Sequence, residues 1–297
     1  MLENHMTVCA EVFSGCGLLL QDSCSLPLQT LLSKSAMIEQ ARQAGLAVPR
    51  TRVVGQIGQA LETAKLWGYP IMLKGDRGHA GTTVRRCDDA GELRRAFAEL
   101  ADGPKVFIQE HPWGPVWGAG GYFDQGRLHR VHIYEQLRDP DSPAHAPPER
   151  IRHHTQPQAL ESLRKLGRHL NWSGYGQIDF IHPPAGEPCF LEFNPRPWGS
   201  ITGADAAGND LLGALAQRIL GPAVDTDLDN REGWCGLVYP KPLVRLARQG
   251  QLARIVGLLL RGALRRSRPM HSWSRELEQC LLRVAYWSWL GGRRRRL

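Results

Sequence analysis

Apolar residues recur at helical spacing in several stretches of the chain and gather into short, strand-like runs between them. From Ser33 the run SKSAMIEQARQAGLAVP places Ala36, Ile38, Ala41 and Ala44 at roughly helical intervals. Ser33 or Ser35 can cap this helix, and Gly45 and Pro49 end it. The same spacing predicts helices over Gly58–Trp67, over Asp88–Leu100, with Leu93, Ala96, Phe97 and Leu100 on one side, and over Gln158–Leu170. Strands are predicted at Tyr69–Lys74, Thr82–Val84, Val106–Glu110, Ala119–Phe123, Arg127–Glu135, Gln177–His182 and Cys189–Asn194. Asp124–Gly126 reads as a turn, and the proline-rich stretch Arg138–Glu149 as a loop. His153 and His154, beside Arg150 and Arg152, read as a solvated basic stretch at a helix entrance. A further helix is predicted from Asn209 to Leu220, and the C-terminal region is expected to be helical again. Strands and helices alternate without a regular βαβ repeat, so the fold class is α+β, or mixed α/β with antiparallel hairpins.

Composition narrows the class further. With 297 residues, 42% of them hydrophobic and 22% charged, the chain is a folded protein of one large or two ordinary domains, which excludes disordered and collagen-like classes. Its seven cysteines form no CxxC pair and no zinc spacing, so they are expected to be free thiols in a reducing, cytoplasmic compartment. No export signal and no membrane span is predicted. Charge then divides the chain. Arg231–Leu297 holds 15 Lys+Arg against three acids, a surplus of twelve, and the rest is four negative within the total of +8. Gly250–Arg266 sets Leu252, Ile255, Val256, Leu259 and Ala263 on one helical face and Arg254, Arg261 and Arg265 on another. Leu277–Leu290 adds Tyr286, Trp287 and Trp289 before four arginines. Such a tail suits an anionic membrane surface peripherally, a docking face for a partner, or packing onto the body with a solvated end. Nucleic-acid binding by the body is not expected.

The hairpin IDFIH … CFLEFN carries the most specific chemistry. A symmetric loop over 183–188 pairs Asp179 with Glu192 and Phe180 with Leu191. Opposed side chains lie ~5 Å apart at Cβ, and two like charges there need a cation between them. Asn194 shares the face of Glu192, while Cys189 falls on the other. Two carboxylates and an amide oxygen suit Mg²⁺ or Mn²⁺ with room for phosphate oxygens, and Arg196 emerges beside them. Gly75, Gly78 and Gly81 can free backbone N–H groups for a phosphate, with Lys74 just before them; this is not a Walker A sequence.

Taken in order, the helix with Lys34, then GYPIMLKGDRGHAGTTV, VFIQEHPWG, GYGQIDF and FLEFNPRPWGS closely resemble the ATP-grasp superfamily of carboxylate–amine ligases over about Lys34 to Leu220. The resemblance implies two α+β subdomains sandwiching a nucleotide. The expected divisions are a short segment 1–33, a small subdomain 34–108, a large subdomain 109–222 and a basic helical extension 223–297. It also implies that ATP phosphorylates a carboxylic acid, and that an amine or other nucleophile attacks the acyl phosphate. Lys34 and Lys74 are implied to neutralise the ATP phosphates, and Gly78, Gly81 and Thr82 to belong to a flap over them. Gln109, Glu110 and Trp113 are implied to lie along the adenine edge. Asp179, Glu192 and Asn194 become the metal ligands, and Arg196 orients the substrate carboxylate. The family carries a larger N-terminal domain before the first lysine than the roughly thirty residues present here. The acid pocket is then truncated, supplied by a partner protein or built from the C-terminal extension. The Gly114–Trp117 stretch also lacks the carboxylate that many members place near the ribose. Both differences keep open a nucleotide-binding regulatory protein without turnover, and the tail a peripheral-membrane or polyanion-binding module.

Overall fold

The computed structural model describes residue 24, residues 26–211 except 79–80, 101–102, 104, 139–147, 149, 185, 199, 202, 205–206 and 210, and the segments 235–237 and 246–256. Helix α1 is Leu28–Leu31 and α2 is Lys34–Gln43. Ser33 caps α2 by accepting a hydrogen bond from the Ala36 N–H at 3.2 Å. Gly45 follows it at φ +77°, a conformation that ends helices.

A four-stranded sheet has the order β1–β4–β2–β3, from Thr51–Val54, Val106–Glu110, Ile71–Gly75 and Val84–Cys87, all antiparallel. Helices α3 (Ile57–Trp67) and α4 (Ala90–Leu100) cover it, burying Ala60, Ala64, Leu93, Ala96 and Leu100 with Ile71, Leu73 and Ile108. The second sheet has six antiparallel strands in the order β10–β7–β6–β5–β8–β9. They are Cys235–Leu237, Arg150–His153, Arg127–Leu137, Val116–Asp124, Gly174–Ile181 and Cys189–Asn194. Helix α5 (Pro157–Leu170) packs on it through Ala159, Leu163, Leu166 and Leu170, a spacing that keeps one stripe inward. Gln125 and Gly126 turn β5 into β6 with φ of 47° and 79°, as a two-residue hairpin loop requires.

Several expectations change here. Helix α2 does not belong with the small sheet: Met37, Ile38 and Ala41 lie in the same core as Phe180, Phe190 and Leu163 of the large sheet and α5. The segment Arg150–His153 is a sheet strand rather than a solvated helix entrance, and His153 is fully buried. The region expected to be a helical extension contributes strand β10 to the large sheet. The β8–β9 hairpin carries a bulge, so Phe180 pairs with Phe190, not Leu191. Most of Arg138–Glu149, of the helix expected over 209–220 and of the basic tail lies outside the described residues. Among the described residues, no helix is long and apolar enough to cross a membrane.

Candidate functional site

Lys74 and Lys34 reach the site from different elements. Lys74 stands on β2, where alternation buries Ile71 and Leu73 on the other face. Its Nζ donates to Gln109 Oε1 at 2.6 Å, and the wholly buried Gln109 donates onward to Thr51 Oγ1 at 3.0 Å. Gln109 thus uses its side chain to seat the lysine. Lys34, the first residue of α2, donates from Nζ to the Gly78 carbonyl at 2.9 Å. Gly78 has φ +135°, and a Cβ there would meet Thr83 Oγ1 at 2.6 Å, so glycine is required on both counts. Burial pulls the Lys74 ammonium down to about 8; Glu192 opposes this and Lys34 adds to it.

Glu192 belongs to the facing large sheet. There Asp179 on β8 pairs directly with Glu192 on β9, as the hairpin spacing anticipates. Burial, then the Glu192 charge, pushes the Asp179 carboxyl up to about 7. Asp179 Oδ1 accepts from Gln136 Nε2 and Gln177 Nε2, both at 2.7 Å. Asn194 Nδ2 donates to Gln177 Oε1 at 2.9 Å and lies 3.3 Å from Glu192 Oε1 and 3.5 Å from Asp179 Oδ2. Its Oδ1 accepts from Arg196 Nη2 at 3.2 Å. The amide therefore turns its nitrogen to the acids, and ligation of a metal through its oxygen would require it to turn over.

Two adjacent carboxylates, with the Asp179 carboxyl raised by burial and the Glu192 charge, are short of positive charge, and their hard oxygen donors match Mg²⁺ or Mn²⁺. Among the described residues no cluster of three or more His, Cys, Asp or Glu is present, so any cation here would complete its shell with amide, substrate or water oxygens. Gln136, Gln177 and Arg138 escaped the sequence reading. Gln177 was legible by parity, two residues from Asp179 on one strand. Gln136 and Arg138, whose guanidinium lowers the Asp179 carboxyl, depend on the β5–β6 and β5–β8 registers.

Beside the acids the sheet face is closed by rings. Trp198 lies over Gly120, where a Cβ would come within 2.5 Å of the indole, and Tyr134 lies over Gly118 at 2.4 Å on the same test. His132 and His153 stack with centroids 4.4 Å apart and Nε2 atoms 3.2 Å apart. Burial holds His132 well below its usual range and brings His153 down to about 4.

The structure thus brings together Lys34, Lys74, Gly78, Gln109, Asp179, Glu192, Asn194 and Arg196. Gly81, at φ +71°, ends the glycine loop, its carbonyl accepting from the Val84 N–H at 3.1 Å; the Thr82 carbonyl accepts from Arg85 Nη1 at 2.9 Å. The Glu110 side chain is engaged elsewhere, in an ion pair with Arg50 at 3.0 Å. Trp113 is 69% exposed, with the Arg86 guanidinium 6.0 Å from its ring. Cys189 also departs from expectation: the bulge sets it level with Ile181, on the parity of Asp179, and its thiol is raised to about 11 by burial and Glu110, with Lys74 opposing.

No family model matches the chain. Over 179 residues it is 30% identical to pyruvate carboxylase 1 of Caenorhabditis elegans, a match covering 52% of this chain and 15% of that protein. The fold is similar to the biotin carboxylase domain of Hydrogenobacter thermophilus 2-oxoglutarate carboxylase, solved with MgADP, ADP and bicarbonate. That likeness has a TM-score of 0.57 and 16% identity, and covers 70% of this chain and 49% of the other. It is similar also to carboxyaminoimidazole ribonucleotide synthase of Aspergillus clavatus, solved with ATP, at a TM-score of 0.61 and 14% identity, covering 74% and 61%. The chain spans less than two thirds of each of these proteins. The two antiparallel sheets form an α+β fold of the ATP-grasp type, the fold that these solved structures share.

Proposed function

We propose that this chain is an ATP- and Mg²⁺-dependent ligase that activates a carboxylate as an acyl phosphate and joins it to an amine or other nucleophile. The observation that carries this reading is the Asp179–Glu192 pair on one sheet, with Glu192 within electrostatic reach of Lys74, which in turn lies within reach of Lys34. Asp179 and Glu192, with Asn194 once its amide has turned, would hold Mg²⁺; Mn²⁺ fits the same donors. The metal would neutralise charge on the β- and γ-phosphates.

The chain's own groups supply the rest. Lys34 and Lys74 meet the phosphates, and the loop Gly78–Thr82, with Gly81 at its end, closes over them. Gln109, Glu110 and Trp113 lie along the segment proposed for the adenine. Arg196 orients the acid and offsets charge where the carboxylate oxygen approaches the γ-phosphorus. A carboxylate oxygen forms the new P–O bond as the bond to ADP breaks. The nucleophile then attacks the acyl carbon, phosphate leaves, and the nucleophile gives up its proton. Bicarbonate is one candidate acid, in view of the ligand in the Hydrogenobacter domain.

The test is ADP release and product mass in a screen of carboxylic acids, bicarbonate included, against amines. The wild type is expected to release ADP only with Mg²⁺ or Mn²⁺ and the right acid, and Glu192→Ala to lose about a hundredfold or more of that rate. ADP formation unchanged in Glu192→Ala would remove the metal assignment, and no acid-dependent ADP release would remove the ligase.

A further inference from the structure

Asp76 lies in the glycine loop, two residues after Lys74, and is 7% exposed. Its contacts all run to neighbouring backbone and to the start of α2. Oδ1 accepts from the Ser35 N–H at 2.8 Å, and Oδ2 accepts from Ser33 Oγ at 2.8 Å. The Asp76 carbonyl accepts from the Lys34 N–H at 3.0 Å, and its own N–H donates to the Lys105 carbonyl at 2.8 Å. The first N–H groups of a helix lack partners within the helix and carry partial positive charge, so a carboxylate is well placed there. Burial works to raise the Asp76 carboxyl, yet the hydrogen bonds from Ser35 and Ser33, with Lys105 nearby, hold it below its ordinary value.

We propose that Asp76 is a positioning residue that fixes the root of Lys34 over the glycine loop, so that Lys34 and Lys74 converge on one phosphate group. This rests on the ligase reading only in naming that anion. Asp76 itself meets no phosphate, because both its oxygens are directed at α2. A lysine has a long flexible stem and acts as a point charge, so where its Cα sits decides what its ammonium can reach. Lys34 closes the same ring from the other end, through Nζ on the Gly78 carbonyl. The sequence gives no sign of this link, since residues 34 and 76 are far apart and Asp76 looks like an ordinary loop acid.

Two measurements test it on the full chain: MgADP binding by calorimetry, and the rate at which Lys34 is modified by an amine-acylating reagent, followed by peptide mass spectrometry. Asp76→Ala is expected to weaken MgADP about tenfold or more, and Asp76→Asn, which keeps the shape and one acceptor, to recover most of that. Asp76→Ala combined with Lys34→Ala should bind no worse than Lys34→Ala alone, because Asp76 acts through Lys34. Lys34 should be acylated faster in Asp76→Ala than in the wild type, with no nucleotide present. Additive losses in the double variant, or unchanged Lys34 acylation in both Asp76 variants, overturns the proposal. A wild type that fails to bind MgADP overturns the ligase reading, while Lys34 acylation still decides the role of Asp76. If Asp76→Ala does not fold, Asp76→Ser, whose side chain is too short to reach both Ser33 and Ser35, takes its place in the same cycle.

Discussion

The stacked histidines show what burial does to a single titratable group. His153 titrates at about 4 in the fold, against roughly 6.5 when unfolded. A depressed base contributes stability that is fully present above pH ~6.5 and is lost as pH falls toward 4. The difference is about 3 kcal/mol at most. Denaturant melts between pH 7 and 4 should therefore show a loss that His153→Phe reduces, the remainder belonging to the equally buried His132, and identical pH profiles for the two proteins would exclude a His153 origin. Residues differ in how much of this the sequence tells. Asp179 and Glu192 could be paired from the hairpin spacing alone, because alternation is a local rule. His153 could not be placed, since its surroundings are set by β6, reached across a proline-rich stretch. Asp76 was illegible for the same reason: its partners lie more than forty residues away.

At the scale of elements, glycine placement separates strands built around rings from helices that merely tolerate a gap. Gly120 on β5 has no space for a methyl group beneath Trp198, whereas a Cβ at Gly58 in α3 meets nothing within 4 Å. Gly120→Ala should destabilise the protein by about 1–3 kcal/mol through overpacking. Gly58→Ala should be stabilising by roughly 0.5–1 kcal/mol, since alanine loses less backbone freedom in a helix. Urea midpoints for the two variants moving in the same direction would contradict this. Most helices and strands were legible from period and punctuation, α5 above all, because its buried stripe follows one period over fourteen residues. The hairpin bulge was not. An extra residue in one strand leaves no mark in composition, yet it changes which side chain faces Phe180 and where Cys189 points.

For the whole molecule, most strands of the two sheets could be listed from the sequence, but the core to which α2 belongs could not. Its apolar face joins the large-sheet core, while its first residues are held by Asp76 of the small-sheet loop. Ile38→Ala, at a site 2% exposed, should cost about 2–5 kcal/mol. By hydrogen exchange it should loosen peptides from both β8 and the 75–83 loop; a loss confined to β8 would show that α2 does not link them. Because α2 is shared, swinging the glycine loop away from the acid hairpin must either strip Asp76 from Ser33 and Ser35 or carry the helix with it. The second route would tear Met37 and Ile38 from their packing. Any opening of the loop would therefore fall beyond Asp76, so that a nucleotide would enter a vise with one fixed jaw rather than a hinge that folds at its centre.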